Sequence, residues 1–331
     1  MATDQNSFLF KQLLKMKLAE MTPAQRNRAS KPKPGNAVRY PYRIEKSYAV
    51  YINKLMRIFT STFMAGIAGK MKKWIKSDRA DLRVDDFNEE FQMLISELQG
   101  IHTDVYTEDG DGWNGYNYAA VMGAILGYGL LVSKQNTTQI QRIIKNVTGV
   151  ENFGLFEGKV VPGILQNWQT TNFQLIKSLS DEYIKKVNTI VSEAVLNEET
   201  VGDVYKKLRA ANANMTGARA RLIARDQVGK LYGALTKQRQ QSLGISMYGW
   251  LTAGDERVRA SHKALSTSAT GYIYKWGESG VYSPDNGNTW KPRTGKMAKA
   301  IPGQEIQCRC SSYPIMNDIF TELSDEIDNA L

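Results

Sequence analysis

The sequence predicts a mostly α N-terminal region followed by a small α+β C-terminal domain. Through most of the first 250 residues, apolar side chains recur at steps of three and four, which is the period of an amphipathic helix. After that point the segment 245–252 is β-branched and aromatic, and residues 271–304 are rich in Gly, Pro and Asn. A chain of 331 residues with 42% hydrophobic content is long enough for two or three domains with buried cores.

The composition excludes several classes of protein. Two cysteines do not make a disulfide framework, and the first residues show no basic segment followed by the apolar run of a signal peptide. The longest apolar stretch, 118–132, is shorter than the roughly 20 residues that a membrane-spanning helix needs. We therefore expect a soluble protein that is made inside the cell and has no membrane span.

The net charge of +10 is distributed unevenly. The first 83 residues contain 18 Lys and Arg but only 5 Asp and Glu, so the remaining 248 residues are slightly acidic. The last fifteen residues, 317–331, form an acidic tail with five acids and no base. Such asymmetry indicates that the N-terminal part meets a polyanion or an acidic protein surface, or else that it is a solvated face with a disordered arm.

Residues 1–41 are predicted to form a basic extended arm. The segment 21–43 has four prolines and no apolar period, and residues that precede proline are biased toward extended backbone. Its cations alternate with Pro, Gly and Tyr, a composition suited to phosphate contact and base stacking without sequence readout. The predicted contacts with nucleic acid or an acidic surface are Arg26, Arg28, Lys31, Lys33, Arg39 and Arg43.

Residues 42–170 are predicted to be a helical docking region. The first helix begins near residue 42 and is long, amphipathic and basic at both ends, and others are expected at about 85–105 and 117–147. Further helices are expected at about 172–196, 200–212 and 216–242. His102 lies in an apolar helix pattern and is interpreted as a packing residue.

The last third carries three motifs in series. They are Ala220-Arg-Leu-Ile-Ala-Arg-Asp-Gln227, then the segment that runs from Trp250 through Asp255 and His262 to Leu265, and finally Ile301-Pro-Gly-Gln-Glu-Ile-Gln-Cys-Arg-Cys310. A short helix is expected to begin at Gly254–Asp255, and a final strand at 308–315. In this order and spacing the motifs resemble the C-terminal domain of phage head-morphogenesis proteins, the Mu F-like minor capsid family. The resemblance covers about 170–315, and the corresponding domain is predicted at 171–316.

The resemblance implies a minor capsid (head) protein of a tailed phage. Such a protein would be made in the host cytoplasm and carried in the capsid interior near the portal vertex. It would assist head assembly, genome packaging or genome delivery. Its implied partners are the portal protein, the major capsid protein and packaged DNA through non-specific phosphate contact, with several copies per virion. The alternatives are a non-specific DNA-binding virion protein ejected with the genome and a zinc or thiol enzyme.

The side chains that could bind a metal are Asp255, His262, Cys308 and Cys310, because thiolate and imidazole are the usual zinc ligands. Three features argue against it. On one helix, Asp255 and His262 would be about 10.5 Å apart, and Cys-x-Cys is tighter than the usual zinc spacing. His262, Cys308 and Cys310 alone give three ligands where a structural zinc takes four. We therefore predict no cofactor and keep zinc as the alternative.

The framework interpretation gives the same residues a structural role. On this interpretation Asp255 is a helix N-cap that can also pair with Arg259, His262 lies on the apolar stripe of its helix, and Arg309 binds a carboxylate. Because no orienting residue for a Cys–His pair can be named, no enzymatic activity is predicted. The motif residues expected to have structural roles are Arg225, Trp250, Asp255, Arg259, His262, Cys308, Arg309 and Cys310.

Overall fold

A computed structural model describes residues 2–31, 38–76, 88–110, 116–151, 160–214 and 217–330. The chain divides into two compact units. The first unit comprises Met1–Ile44, Gly129–Trp168 and Arg225–Leu331, and the second comprises Glu45–Tyr128 and Gln169–Ala224. The predicted domains 42–170 and 171–316 do not coincide with these units, since each predicted domain contributes to both.

The predicted fold class is confirmed, with long helices first and a small sheet near the C-terminus. The helices are α1 Ala2–Ala19, α2 Pro23–Ser30, α3 Tyr42–Lys76, α4 Asn88–Tyr106, α5 Tyr118–Thr148, α6 Val160–Leu196, α7 Val201–Asn214, α8 Gly217–Ser242, α9 Ala260–Lys263, α10 Thr267–Thr270 and α11 Asn317–Asp328. Among the described residues, no helix has both the length and the apolar character that a membrane crossing requires.

The described strands form one antiparallel sheet in the order β4-β3-β2-β1-β5. They are β1 Met247–Leu251, β2 Ile273–Lys275, β3 Glu278–Ser283, β4 Lys291–Pro292 and β5 Ser311–Ile315. Strand β1 lies between β2 and β5, pairing Tyr248 with Tyr274 on one side and with Pro314 on the other. One core cluster beside the sheet includes Trp250, Leu265 and both cysteines, which places the cysteine motif against strand β1.

The second unit is a helical core rich in aromatic side chains. Tyr183 lies edge-on to Phe59 and Phe63, and all three are buried. His102 is also buried and contacts Phe59 and Tyr106, and burial lowers its pKa. The packing interpretation of His102 is consistent with these contacts.

Within the predicted extended arm, residues 2–19 and 23–30 are helical. Helix α1 buries Phe10, Leu14 and Leu18, which are four residues apart and lie on one face. Helix α2 begins with a capping box in which Thr22 and Gln25 bond to each other's backbone, and Pro23 follows the N-cap. The prediction was wrong because proline is favourable in a first helical turn, where no N–H is needed.

The acidic tail is helix α11, which contacts α1 and α2. Its apolar face buries Ile319, Phe320, Leu323 and Ile327. Its acids pair with N-terminal bases: Lys11 with Glu322 at 2.8 Å, Lys15 with Glu326 at 2.6 Å, and Arg26 with Asp328 at 2.9 Å. Part of the N-terminal positive charge is therefore neutralised within the chain.

The six predicted basic contacts fall into three groups. Arg26 is buried against α11, so it is not available to an external polyanion. Arg28, Lys31, Arg39 and Arg43 have exposed side chains. Lys33 lies outside the described residues.

The short helix expected at 254–255 begins instead at Ala260, and its N-cap residue is Arg259 without a side-chain cap. Asp255 is therefore not an N-cap, and it lies in a turn after Gly254, whose φ is +78°. This turn is closed by a hydrogen bond from the N–H of Val258 to the carbonyl oxygen of Asp255. Strand β5 begins at 311, three residues later than expected.

Replacing Arg26 by Ala should destabilise the fold, because its guanidinium donates to Asp328 and to the carbonyl oxygens of Met21 and Ser324 while buried. Hydrogen bonds to charged groups contribute about 1.5–3 kcal/mol, and we expect a loss near the lower end because Asp328 is half exposed. Urea unfolding measures the change. Lys17→Ala, which removes an exposed pair with Glu20, is the control and should cost less than about 1 kcal/mol. Equal effects of the two substitutions would contradict the assignment.

Candidate functional site

The candidate site lies in the first unit, where three segments bring the motif residues together. Helix α9 supplies His262, the turn before it supplies Asp255 and Arg259, and the segment between β4 and β5 supplies Cys308, Arg309 and Cys310. Trp250 on β1 lies edge-on to the imidazole, with ring centroids 5.4 Å apart. Strand β1 therefore packs against the imidazole from one side of the site.

The cysteine segment lies directly on helix α8 at two glycines. A Cβ at Gly229 would lie 2.6 Å from the carbonyl oxygen of Cys308, and one at Gly233 would lie 2.4 Å from that of Pro302. Real Cβ atoms do not come this close to backbone oxygens, so these positions need glycine. The two residues are four apart and lie on one face of the helix. The two glycines therefore determine how closely the cysteine segment packs on α8.

The two thiols and the imidazole form one buried cluster. Nδ1 of His262 lies 3.6 Å from Sγ of Cys308 and 3.4 Å from Sγ of Cys310. His262 is 2% exposed, Cys308 4% and Cys310 7%, and both cysteines are free thiols. Arg309, between them in sequence, contacts Asp255 instead, which is the alternation expected of an extended segment.

The cluster is electrostatically asymmetric. A hydrogen bond from Cys310 lowers the pKa of Cys308 well below that of a free thiol, and a hydrogen bond with His262 adds to this effect. Burial acts in the opposite direction. The pKa of Cys310 is raised because its proton is held by Cys308 and its thiol is buried. Burial alone would lower the pKa of His262, but bonding to Cys308 and Glu305 raises it above the ordinary value.

Asp255 is the carboxylate partner of Arg309. The guanidinium of Arg309 lies 2.6 Å from one carboxylate oxygen and 2.9 Å from the other, and Arg257 approaches the same group at 3.3 Å. The hydrogen bond from Arg309 lowers the pKa of Asp255. This pair joins the turn before α9 to the segment before β5, as the framework interpretation requires of Arg309.

Glu305 completes the site and was not anticipated from the sequence. Its Oε2 accepts a hydrogen bond from Nε2 of His262 at 2.8 Å and lies 3.2 Å from Nη1 of Arg259. Arg259 also donates to the carbonyl oxygen of Ile306 at 2.7 Å. Arg259 therefore pairs with Glu305, and the predicted pair with Asp255 is wrong.

A pocket of about 160 Å³ opens beside the cluster. Four arginines line it together with the three cluster residues and Gln307. Gln307 has a φ of +57°, its N–H donates to Asp226 on α8 at 2.9 Å, and its side chain contacts Arg225. The lining arginines are Arg225, Arg257, Arg259 and Arg309.

Most motif residues predicted from the sequence therefore meet at one place. The positions that sequence reasoning missed are Glu305, Arg257, Asp226, Gly229 and Gly233. A signal was present for the glycines, because two glycines four apart in a helix indicate a close approach on that face. For the charged residues there was none, since a surface Glu or Arg carries no local pattern that distinguishes it from its neighbours.

Comparison with known proteins agrees with the three-motif resemblance. Residues 185–313 match the family model described as Phage Mu protein F like protein, and this range contains the whole site. This match confirms the predicted resemblance to the Mu F-like head-morphogenesis family. An uncharacterized protein of Haemophilus influenzae is 28% identical over 187 residues, which are 56% of this chain and 37% of the relative. The chain thus matches little more than a third of that relative's length. No solved structure matches the chain.

Replacing Gly233 by Ala should destabilise the protein by about 1–3 kcal/mol, because the new Cβ forces the cysteine segment away from α8. The matched control is Gly163→Ala in α6, where nothing lies within 4 Å of the added Cβ. Alanine is the better helix former, so the control should be up to about 1 kcal/mol more stable. Opposite signs in urea unfolding are the expected result, and two changes of the same sign would contradict the close approach.

Proposed function

We propose that this chain is a head-morphogenesis protein of a bacteriophage and a minor component of the virion. The observation that carries the proposal is the Phage Mu protein F like match over 185–313. This range contains the residues from Arg225 to Cys310 that interlock in the site. The name of the Haemophilus relative gives no function.

The role that best suits the site is a rigid framework. Asp255–Arg309 and Glu305–His262 tie together segments separated by 54 and 43 residues. Paired charges that are partly buried hold a loop in one geometry, although each pair adds little net stability. The C-terminal part of the first unit would thus present a fixed surface to neighbouring proteins in the head.

We further propose that the protein binds near the portal vertex, inside the capsid, and contacts the portal protein and the shell. It would assist assembly, packaging or delivery of the genome, in several copies per virion. These assignments rest on the family resemblance.

The test is to locate the protein in purified virions. Quantitative mass spectrometry, with the portal protein as the internal standard, should find several copies of the protein per virion. Cryo-electron microscopy should show its density at the portal vertex. A tagged chain should co-purify with the portal protein from infected cells, and the Gly233→Ala variant should do so less well than Gly163→Ala. Virions that lack the protein would refute the proposal.

A second candidate function is non-specific DNA binding. It is favoured by four exposed cations near the N-terminus, Arg28, Lys31, Arg39 and Arg43. Cations that contact phosphates release counterions, so the affinity for duplex DNA falls with salt by about 0.9 log units per contact and decade.

Replacing these four cations by Gln should reduce the slope of log affinity against log salt by up to about 4. Fluorescence anisotropy with a short duplex measures the slope. The matched control replaces four other exposed cations of the same unit, Lys134, Lys263, Lys296 and Lys299, and should leave the slope nearly unchanged. Equal reductions would mean that the N-terminal cations have no special role.

A further inference from the structure

We propose that Cys308, Cys310 and His262 bind one Zn²⁺ ion through both thiolates and Nδ1. The sequence alone did not favour a zinc site, but the structure brings the three ligand atoms together. The proposal concerns an inorganic site and is independent of the virion role.

The distances within the cluster fit a tetrahedral ion. Zinc–sulfur bonds of about 2.3 Å and zinc–nitrogen bonds of about 2.05 Å at tetrahedral angles place each sulfur about 3.5–3.6 Å from the nitrogen. The two measured sulfur–nitrogen distances are 3.6 and 3.4 Å. All three ligand atoms lie within 4.8 Å of one another, and the described residues contain no other such group.

The imidazole is held in the tautomer that a metal needs. A carboxylate can only accept, so the bond to Glu305 keeps the proton on Nε2 and leaves the lone pair on Nδ1. That lone pair is directed at both sulfurs. A carboxylate behind a metal-bound histidine is the usual second-shell arrangement, and its loss weakens binding by about 10–100-fold.

The structure answers the first two arguments from the sequence against zinc. Asp255 is bonded to Arg309 and Arg257, so it is not needed as a ligand. The single residue between the cysteines places both thiols on one side, while Arg309 contacts Asp255. Close spacing thus aids the convergence of the two sulfurs.

The ligand set selects the kind of metal. Two thiolates and one imidazole suit Zn²⁺ better than the oxygen-seeking Mg²⁺ or Ca²⁺, and two thiolates balance its charge. The neighbouring carboxylates are bonded to Arg309, His262 and Arg259, so the fourth position falls to solvent. The pocket of about 160 Å³ on that side has room for several waters at about 30 Å³ each.

The test uses the full chain without a His tag, purified under reducing conditions with zinc present and then dialysed against metal-free buffer. Elemental analysis should find about one zinc per chain. Replacing the zinc by Co²⁺ should give the visible bands of tetrahedral cobalt and a sulfur-to-cobalt charge-transfer band. The charge-transfer band needs thiolate ligands, and the sequence holds only two cysteines.

Variants assign the ligands. Cys310→Ser and Cys308→Ser should each weaken Co²⁺ binding by more than about tenfold, and Glu305→Gln by about 10–100-fold, in competition with a chromophoric chelator. Ser311→Ala, a buried neighbour without a ligand atom at the site, is the matched control and should bind normally. Circular dichroism checks that each variant is folded.

The unmodified chain decides the outcome even where a variant fails to fold. Zinc below about 0.1 per chain after loading, or bound cobalt without a sulfur charge-transfer band, would overturn the proposal. The cluster would then be a hydrogen-bonded thiol–imidazole group.

Discussion

The rest of the site depends on the close approach of the cysteine segment to helix α8. Helix α8 carries glycines at 229 and 233, and the carbonyl oxygens of Cys308 and Pro302 occupy the space that two side chains would fill. From that contact the positions of Glu305, Gln307 and both cysteines follow. The absence of a Cβ at these two positions thus determines whether the motif residues meet.

Charge then fixes the side chains that the backbone has brought close. Asp255 orients Arg309 away from the thiols, and Glu305 orients the imidazole toward them. Asp255 thus keeps the guanidinium of Arg309 apart from the cluster, whereas Glu305 aligns the imidazole of His262 with it. Four arginines line the pocket and so lie beside the two thiols and the imidazole.

The fold class and most helices could be predicted because periodicity is a local property of the sequence. Helix α1 was missed although Phe10, Leu14 and Leu18 have the right spacing, since the proline-rich segment after it dominated the interpretation. The pairing of α11 with α1 and α2 could not be predicted, because bases and acids 302 to 311 positions apart carry no mutual signal. For the same reason the motif residues were identified but their partners were not. Arg309 was expected to bind a carboxylate, and only the structure identifies that carboxylate as Asp255.

The two compact units differ in how their parts are distributed along the chain. The second unit is contained within residues 45–224, whereas the first needs Met1–Ile44 and Arg225–Leu331 together. During synthesis, therefore, the second unit can fold while its C-terminal neighbours are still being translated. Helix α1 must wait for its partner α11, which is translated after the whole of the second unit. Until then its leucines remain exposed to chaperones or to other nascent chains.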